Sequence, residues 1–146
     1  MLSAIAAISG LYDAVVGALL LLVPGRLASL FGVPPASPPI FSDLNGLFLI
    51  AVGAGYYLPW RDPLRYRGYL WVMGPLLKGA GAALFLLDYV FRGSPASFLL
   101  FAASDGLLAA LTLYGLLTSR GSAIRAATPQ EPRDSGSSAS VDRRAR

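Results

Sequence analysis

The chain has 146 residues, 55% of them hydrophobic and only 14% charged, with mean hydropathy +0.58 and a net charge of +4. A soluble domain carries about 25% charged residues, so this composition argues against an ordinary soluble domain, and the absence of cysteine and histidine excludes disulfides, thiol redox chemistry, imidazole-held haem and the usual zinc sites. It also removes the commonest general base, so no catalytic residue and no metal ligand set is assigned, no cofactor is expected, and an enzyme is the least favoured reading.

The apolar residues come in blocks of roughly twenty, the length of a membrane span. The first span covers 4–23 and stops at "PGR". It lacks a basic leading segment and Asp13 interrupts it, which predicts a retained span, not a cleaved signal. Next comes "LASLFGVPPASPP", where Leu27, Leu30, Phe31 and Val33 suit either a short interfacial helix or a stiff surface loop. The second span covers 40–58 and stops at "PWRDP". The third, 69–91, stops at "RGSP", and the fourth, 97–118, at "SRG". Residues 1–118 thus form an all-α integral membrane four-helix bundle. Residues 119–146 have no apolar face and read as a disordered basic tail on the cytoplasmic side.

All but Lys78 of the 12 Lys and Arg residues lie outside the apolar blocks, as in membrane proteins and unlike a nucleic-acid footprint. Arg61, Arg65, Arg67, Arg120 and Arg125 fall on one side, against Arg26 and Arg92 on the other. The excess of basic residues predicts cytoplasmic termini. Trp60, Tyr66, Tyr69 and Trp71 crowd the same boundary, as interfacial aromatics do.

Asp13, Asp43, Lys78, Asp88 and Asp105, with Asn45, fall inside the spans or at their rims. A charge at the bilayer centre costs roughly 2.5–3.5 kcal/mol on insertion scales, so such residues face the interior and pair. Helical spacing puts Gly74, Lys78, Gly81, Phe85 and Asp88 on one stripe. Similar stripes run through Gly10, Asp13, Gly17 and Leu20; through Asp43, Gly46, Ile50, Gly53 and Tyr57; and through Phe98, Phe101, Asp105, Leu108 and Thr112. Each helix can therefore turn an acid, and usually a glycine, toward a shared axis. Asp13 and Lys78 lie about nine residues, ~13 Å, from the basic end, and Asp105 comes to a similar depth. These three are expected to pair, with Asp43, Asn45 and Asp88 at an outer mouth. Four carboxylates against one ammonium leave an excess, to be met by a proton, a bound cation or a cationic ligand. The alternative is that the Lys–Asp pairs only fix which helices pack together.

"GAGAA" at 79–83 and "GAGYY" at 53–57 suggest close helix approach, since neither fits a phosphate-binding loop. Tyr56, Tyr57, Tyr89 and Tyr114 read as interfacial or packing residues, with an apolar pocket lining as the alternative.

The segments "GALLLLVPGRLASLFGVP" and "NGLFLIAVGAGYYLPWRDPLR" resemble the DoxX-like group of small four-span bacterial membrane proteins. The resemblance covers roughly residues 5–118 and implies a multi-pass protein of the bacterial inner membrane. That group includes subunits associated with quinone-linked oxidoreductases, so the resemblance implies a quinone- or lipid-binding role. A fainter similarity is to four-span proteins whose interior acid pair holds a sterol-like ligand. The expected partners are membrane lipid and a small apolar ligand such as a quinone, with no nucleic acid. The leading expectation is a bundle binding a small amphipathic or lipid-like molecule. Two other readings stay open: an accessory or structural subunit of a larger membrane complex, and a proton- or cation-coupled transporter acting as a homo-oligomer.

Overall fold

The computed structural model describes the backbone of residues 1–127 and the side chains as far as residue 119. Among these residues there is no strand. Helices α1 (Leu2–Leu22) and α2 (Pro24–Phe31) meet at Val23, where Pro24 takes the first-turn position that needs no amide donor. Gly32, with φ 70°, closes α2 in the left-handed conformation that favours glycine. Helix α3 (Ile40–Gly55) is followed after one residue by α4 (Tyr57–Arg61), and α5 (Arg67–Trp71) opens the third rod. A π-helical stretch, Val72–Lys78, leads into α6 (Gly79–Arg92), and α7 (Leu99–Ala127) follows a short 3-10 turn, Ala96–Phe98.

Four of these rods are long and apolar enough to cross a membrane: Leu2–Leu22, Ile40–Arg61, Arg67–Arg92 and Ala96–Ser119. Only 17–28% of their most apolar windows is buried within the protein. Leu11, Leu22, Leu84 and Phe91 are among the large apolar side chains left exposed. A helix that is apolar all round is normally a buried core helix or a span, and these have no protein over their outer faces.

The segment after the first rod is helical, the first of the two options its sequence offered. The helical backbone also continues past 118 to Ala127, where the sequence suggested a disordered tail. The rest of that expected tail, 128–146, and the side chains of Arg120 and Arg125 lie outside the described residues.

Packing divides the bundle into two pairs. Helix α1 lies against α3 and α4, and the third rod lies against α7, while α3 and α6 scarcely touch. The α1–α3 pair is set by glycines. A Cβ at Gly10 would lie 2.9 Å from the Gly53 carbonyl oxygen, and one at Gly53 would lie 2.7 Å from that of Gly10. Gly17 and Gly46 repeat the relationship, so the two backbones are in contact along two turns. On the other side, a Cβ at Gly74 would press within 2.9 Å of Thr112 Cβ.

The apolar core sits at the basic end, where Leu2, Ala6, Val52, Tyr56, Leu70 and Leu116 pack together. The Arg67 guanidinium donates to the Leu116 carbonyl there, and the Tyr69 hydroxyl donates to the Val52 carbonyl at 2.7 Å. The apolar core is therefore at the basic end, and the larger hollow lies toward the other.

Candidate functional site

The hollow half is a cavity of about 470 Å³, within the ~300–1,000 Å³ range of small-molecule sites. All four rods and α2 line it. Its deep end is ionic. Lys78 Nζ donates to Asp13 Oδ1 at 2.6 Å and to Asp105 Oδ1 at 3.1 Å. Asp13 and Lys78 are 3% and 5% exposed, so neither charge could persist there unpaired. Each member of the trio lies within about three residues, ~4 Å, of the centre of its rod.

Tyr12 adds a second layer. Its ring faces Lys78 Nζ at 4.9 Å from the centroid, in cation–π range. Its hydroxyl lies 2.8 Å from Ser104 Oγ. Ser104 donates its own hydrogen to the Leu100 carbonyl at 2.9 Å, which makes Tyr12 the donor to Ser104. The first, third and fourth rods are thus fastened through Tyr12, Asp13, Lys78, Ser104 and Asp105.

Toward the other end the walls are aromatic. The Phe31 ring stacks on Phe101 at 4.8 Å and on Phe98 at 5.8 Å. Phe85 stacks on Phe101 at 5.4 Å. Ser97 Oγ donates to the Phe31 carbonyl at 2.7 Å, which ties α2 to the start of the fourth rod as a cover over the cavity. Between α3 and the third rod the cavity opens sideways. Phe48 and Leu77 line it yet are 51% and 39% exposed.

Of the residues singled out from the sequence, the structure brings Asp13, Lys78 and Asp105 together at the deep end and puts Asn45 on the wall. It does not bring Asp43 or Asp88 to the cavity. Asp88 is occupied locally, accepting from Arg92 at 3.0 Å and from the Ser94 hydroxyl. Asp43 shares its stripe with Gly46 and Gly53, and that stripe is taken up by contact with α1. The neighbouring face, with Ser42, Asn45 and Phe48, turns to the cavity instead. The second rod therefore contributes an amide where an acid was expected.

The glycines around Lys78 also part company. Gly74 packs on Thr112 as a close approach, but Cβ atoms at Gly79 and Gly81 would meet their nearest neighbours only at 3.8 Å. Gly81 leaves space beside Asp105 Oδ2 on the cavity wall, while Gly79 meets Ala109 and Ala82 meets Gly106 at ordinary van der Waals range, so "GAGAA" is where α6 packs on α7. Tyr56 is fully buried in the basic-end core, and Tyr57, Tyr89 and Tyr114 are exposed; none of the four lines the cavity. The tyrosine that does is Tyr12, whose sequence signal was only its place next to an intramembrane acid. Pro75 was a second unread signal. It cannot donate an amide hydrogen, and it lies within the π-helical stretch that ends on Lys78, where wider i→i+5 bonding resets the register of the ammonium.

Among the described residues no three or more Asp or Glu side chains stand together as a metal site. The arrangement offers acceptors, one buried ammonium and an apolar chamber, which suits binding over covalent chemistry. Comparisons with family models, curated proteins and solved structures found no match to this chain.

Proposed function

We propose that the chain is an integral membrane protein that holds a small amphipathic, lipid-like molecule in its interior cavity. The single observation that carries this reading is a chamber of about 470 Å³ with an ionic end and apolar walls. The polar end of the ligand lies at Asp13, Lys78 and Asp105, near mid-membrane. Its apolar body lies between α3 and the rings of Phe31, Phe85, Phe98 and Phe101. The sideways opening between α3 and the third rod faces the acyl chains, so the ligand reaches the cavity from the bilayer. A quinone is one molecule of this kind, in keeping with the DoxX-like resemblance. The basic turn and the termini face the cytoplasm of a bacterial inner membrane, which puts the apolar core inward and the cavity in the outer leaflet.

Native mass spectrometry of the protein extracted gently from its own membranes tests the reading. A bound molecule of defined mass, lost in a folded Gly81→Phe variant that fills the cavity from its wall, is expected. A bare chain in the wild type, or a molecule retained equally by the variant, refutes it.

A further inference from the structure

We infer that the polar end of the ligand is a protonated amine; this rests on the cavity reading above and specifies its ligand. The inference comes from the hydrogen-bond inventory of the deep end. An ammonium offers three donors and no acceptor, whereas a carboxylate offers acceptors alone. Lys78 places two of its three donors on Asp13 Oδ1 and Asp105 Oδ1. Tyr12 places its hydrogen on Ser104, and Ser104 places its own on a backbone carbonyl. Asp13 Oδ2 is buried without a partner. Asp105 keeps 17% of its side chain exposed, and its Oδ2 adjoins the space left by Gly81. The deep end is thus short of donors and, with two carboxylates and one ammonium ionised, carries one negative charge.

A carboxylate or phosphate head would meet this charge as a repulsion. A neutral acceptor such as a quinone carbonyl would find at most one free Lys78 hydrogen. An alkylammonium supplies both missing quantities, charge and N–H donors, and a charge-assisted hydrogen bond is about twice as strong as a neutral one. At the ~30 Å³ that one water takes in the liquid, about 470 Å³ holds roughly 15 non-hydrogen atoms. That is room for a single-chain amine.

The test is equilibrium binding of radiolabelled dodecylamine, dodecanol and dodecanoate to the full chain in phosphatidylcholine nanodiscs at neutral pH. Saturable binding of dodecylamine is expected, tighter than either other head by about tenfold or more, the worth of one charge-assisted hydrogen bond. Asp105→Asn should weaken dodecylamine and bring it and dodecanol to within about threefold of each other. Gly81→Val is the second variant, built at a position where the added Cβ comes no closer than 3.8 Å to its nearest neighbour. It should cover Asp105 Oδ2 and cost dodecylamine its preference without removing the ion pairs. If the wild type binds all three heads alike, or if a folded variant keeps the preference for the amine, the amine assignment falls and the cavity reading stands. If none of the three binds saturably, both fall.

Discussion

Gly17 and Gly46 face each other across α1 and α3 so closely that a Cβ on either would lie within 2.8 Å of the other's carbonyl oxygen. This contact does more than join two helices. It consumes the glycine stripe of α3, which turns Asp43 away and presents Asn45 and Phe48 to the cavity. Gly17→Val should therefore splay the pair and deform the cavity, at a cost of about 1–3 kcal/mol or more from overpacking. Gly79→Ala should be neutral or stabilising by up to about 1 kcal/mol, since its Cβ finds ordinary space and glycine is a poor helix former. Thermal unfolding in mild detergent compares the two. Equal destabilisation would contradict the distinction.

Lys78 holds two carboxylates at once, and Asp13 and Lys78 are almost fully buried. Lys78→Met leaves Asp13 and Asp105 facing each other without their counter-charge. The loss should be about 3–5 kcal/mol, the usual penalty for breaking a buried pair from one side. Adding Asp13→Leu should recover about 0.5–3 kcal/mol relative to the sum of the single changes. Additive losses would mean that the two residues do not act as a pair. The exposed Asp88–Arg92 pair provides the contrast, with Asp88→Asn expected within about 1 kcal/mol of wild type.

Asp43 and Asn45, near the start of α3, should separate in ligand retention. Asn45 lines the cavity and Asp43 does not. Retention by native mass spectrometry should fall in Asn45→Leu and hold in Asp43→Asn. The reverse order would place the chamber on the other side of α3.

Helix α2 has no fully buried residue and is held at its end by Phe31, through ring stacking and the Ser97 bond to its carbonyl. Phe31→Ala removes aromatic pairs worth about 0.5–1.5 kcal/mol each. Amide exchange over 24–31 should quicken while exchange in the basic-end core holds. Unchanged exchange in α2 would show that the ring does not anchor the cover.

The absence of cysteine makes single-cysteine labelling a clean test of orientation. In intact cells, a membrane-impermeant maleimide should label Ala96→Cys from outside and reach Leu64→Cys only after lysis. The opposite pattern would invert the proposed topology.

The four rods were legible because each is an unbroken apolar block ended by proline, glycine or arginine, and helix formation at that length depends on local chain properties. The meeting of Asp13, Lys78 and Asp105 was anticipated for a related reason. In an apolar block a charge has few places to go, and helical spacing with depth leaves it few partners. The places of Asp43 and Asp88 were not legible. Spacing assigns a residue to a face of its own helix, and nothing in one helix says which neighbour that face will meet.

By itself, then, the sequence determined the four long apolar rods, the apolar exterior and the depth of the three charges, all of which follow from short-range periodicity and the cost of burying charge. Tertiary structure alone decided which glycines are contacts and which are space. Gly17 meets Gly46, whereas Gly81 meets the cavity. It decided likewise that Tyr12 and Phe31 join the site, and that the second rod offers Asn45 instead of Asp43. The physical reason is rotation about the helix axis. That angle is set by how two backbones fit against each other, and a periodic pattern with several apolar faces leaves it free until they do.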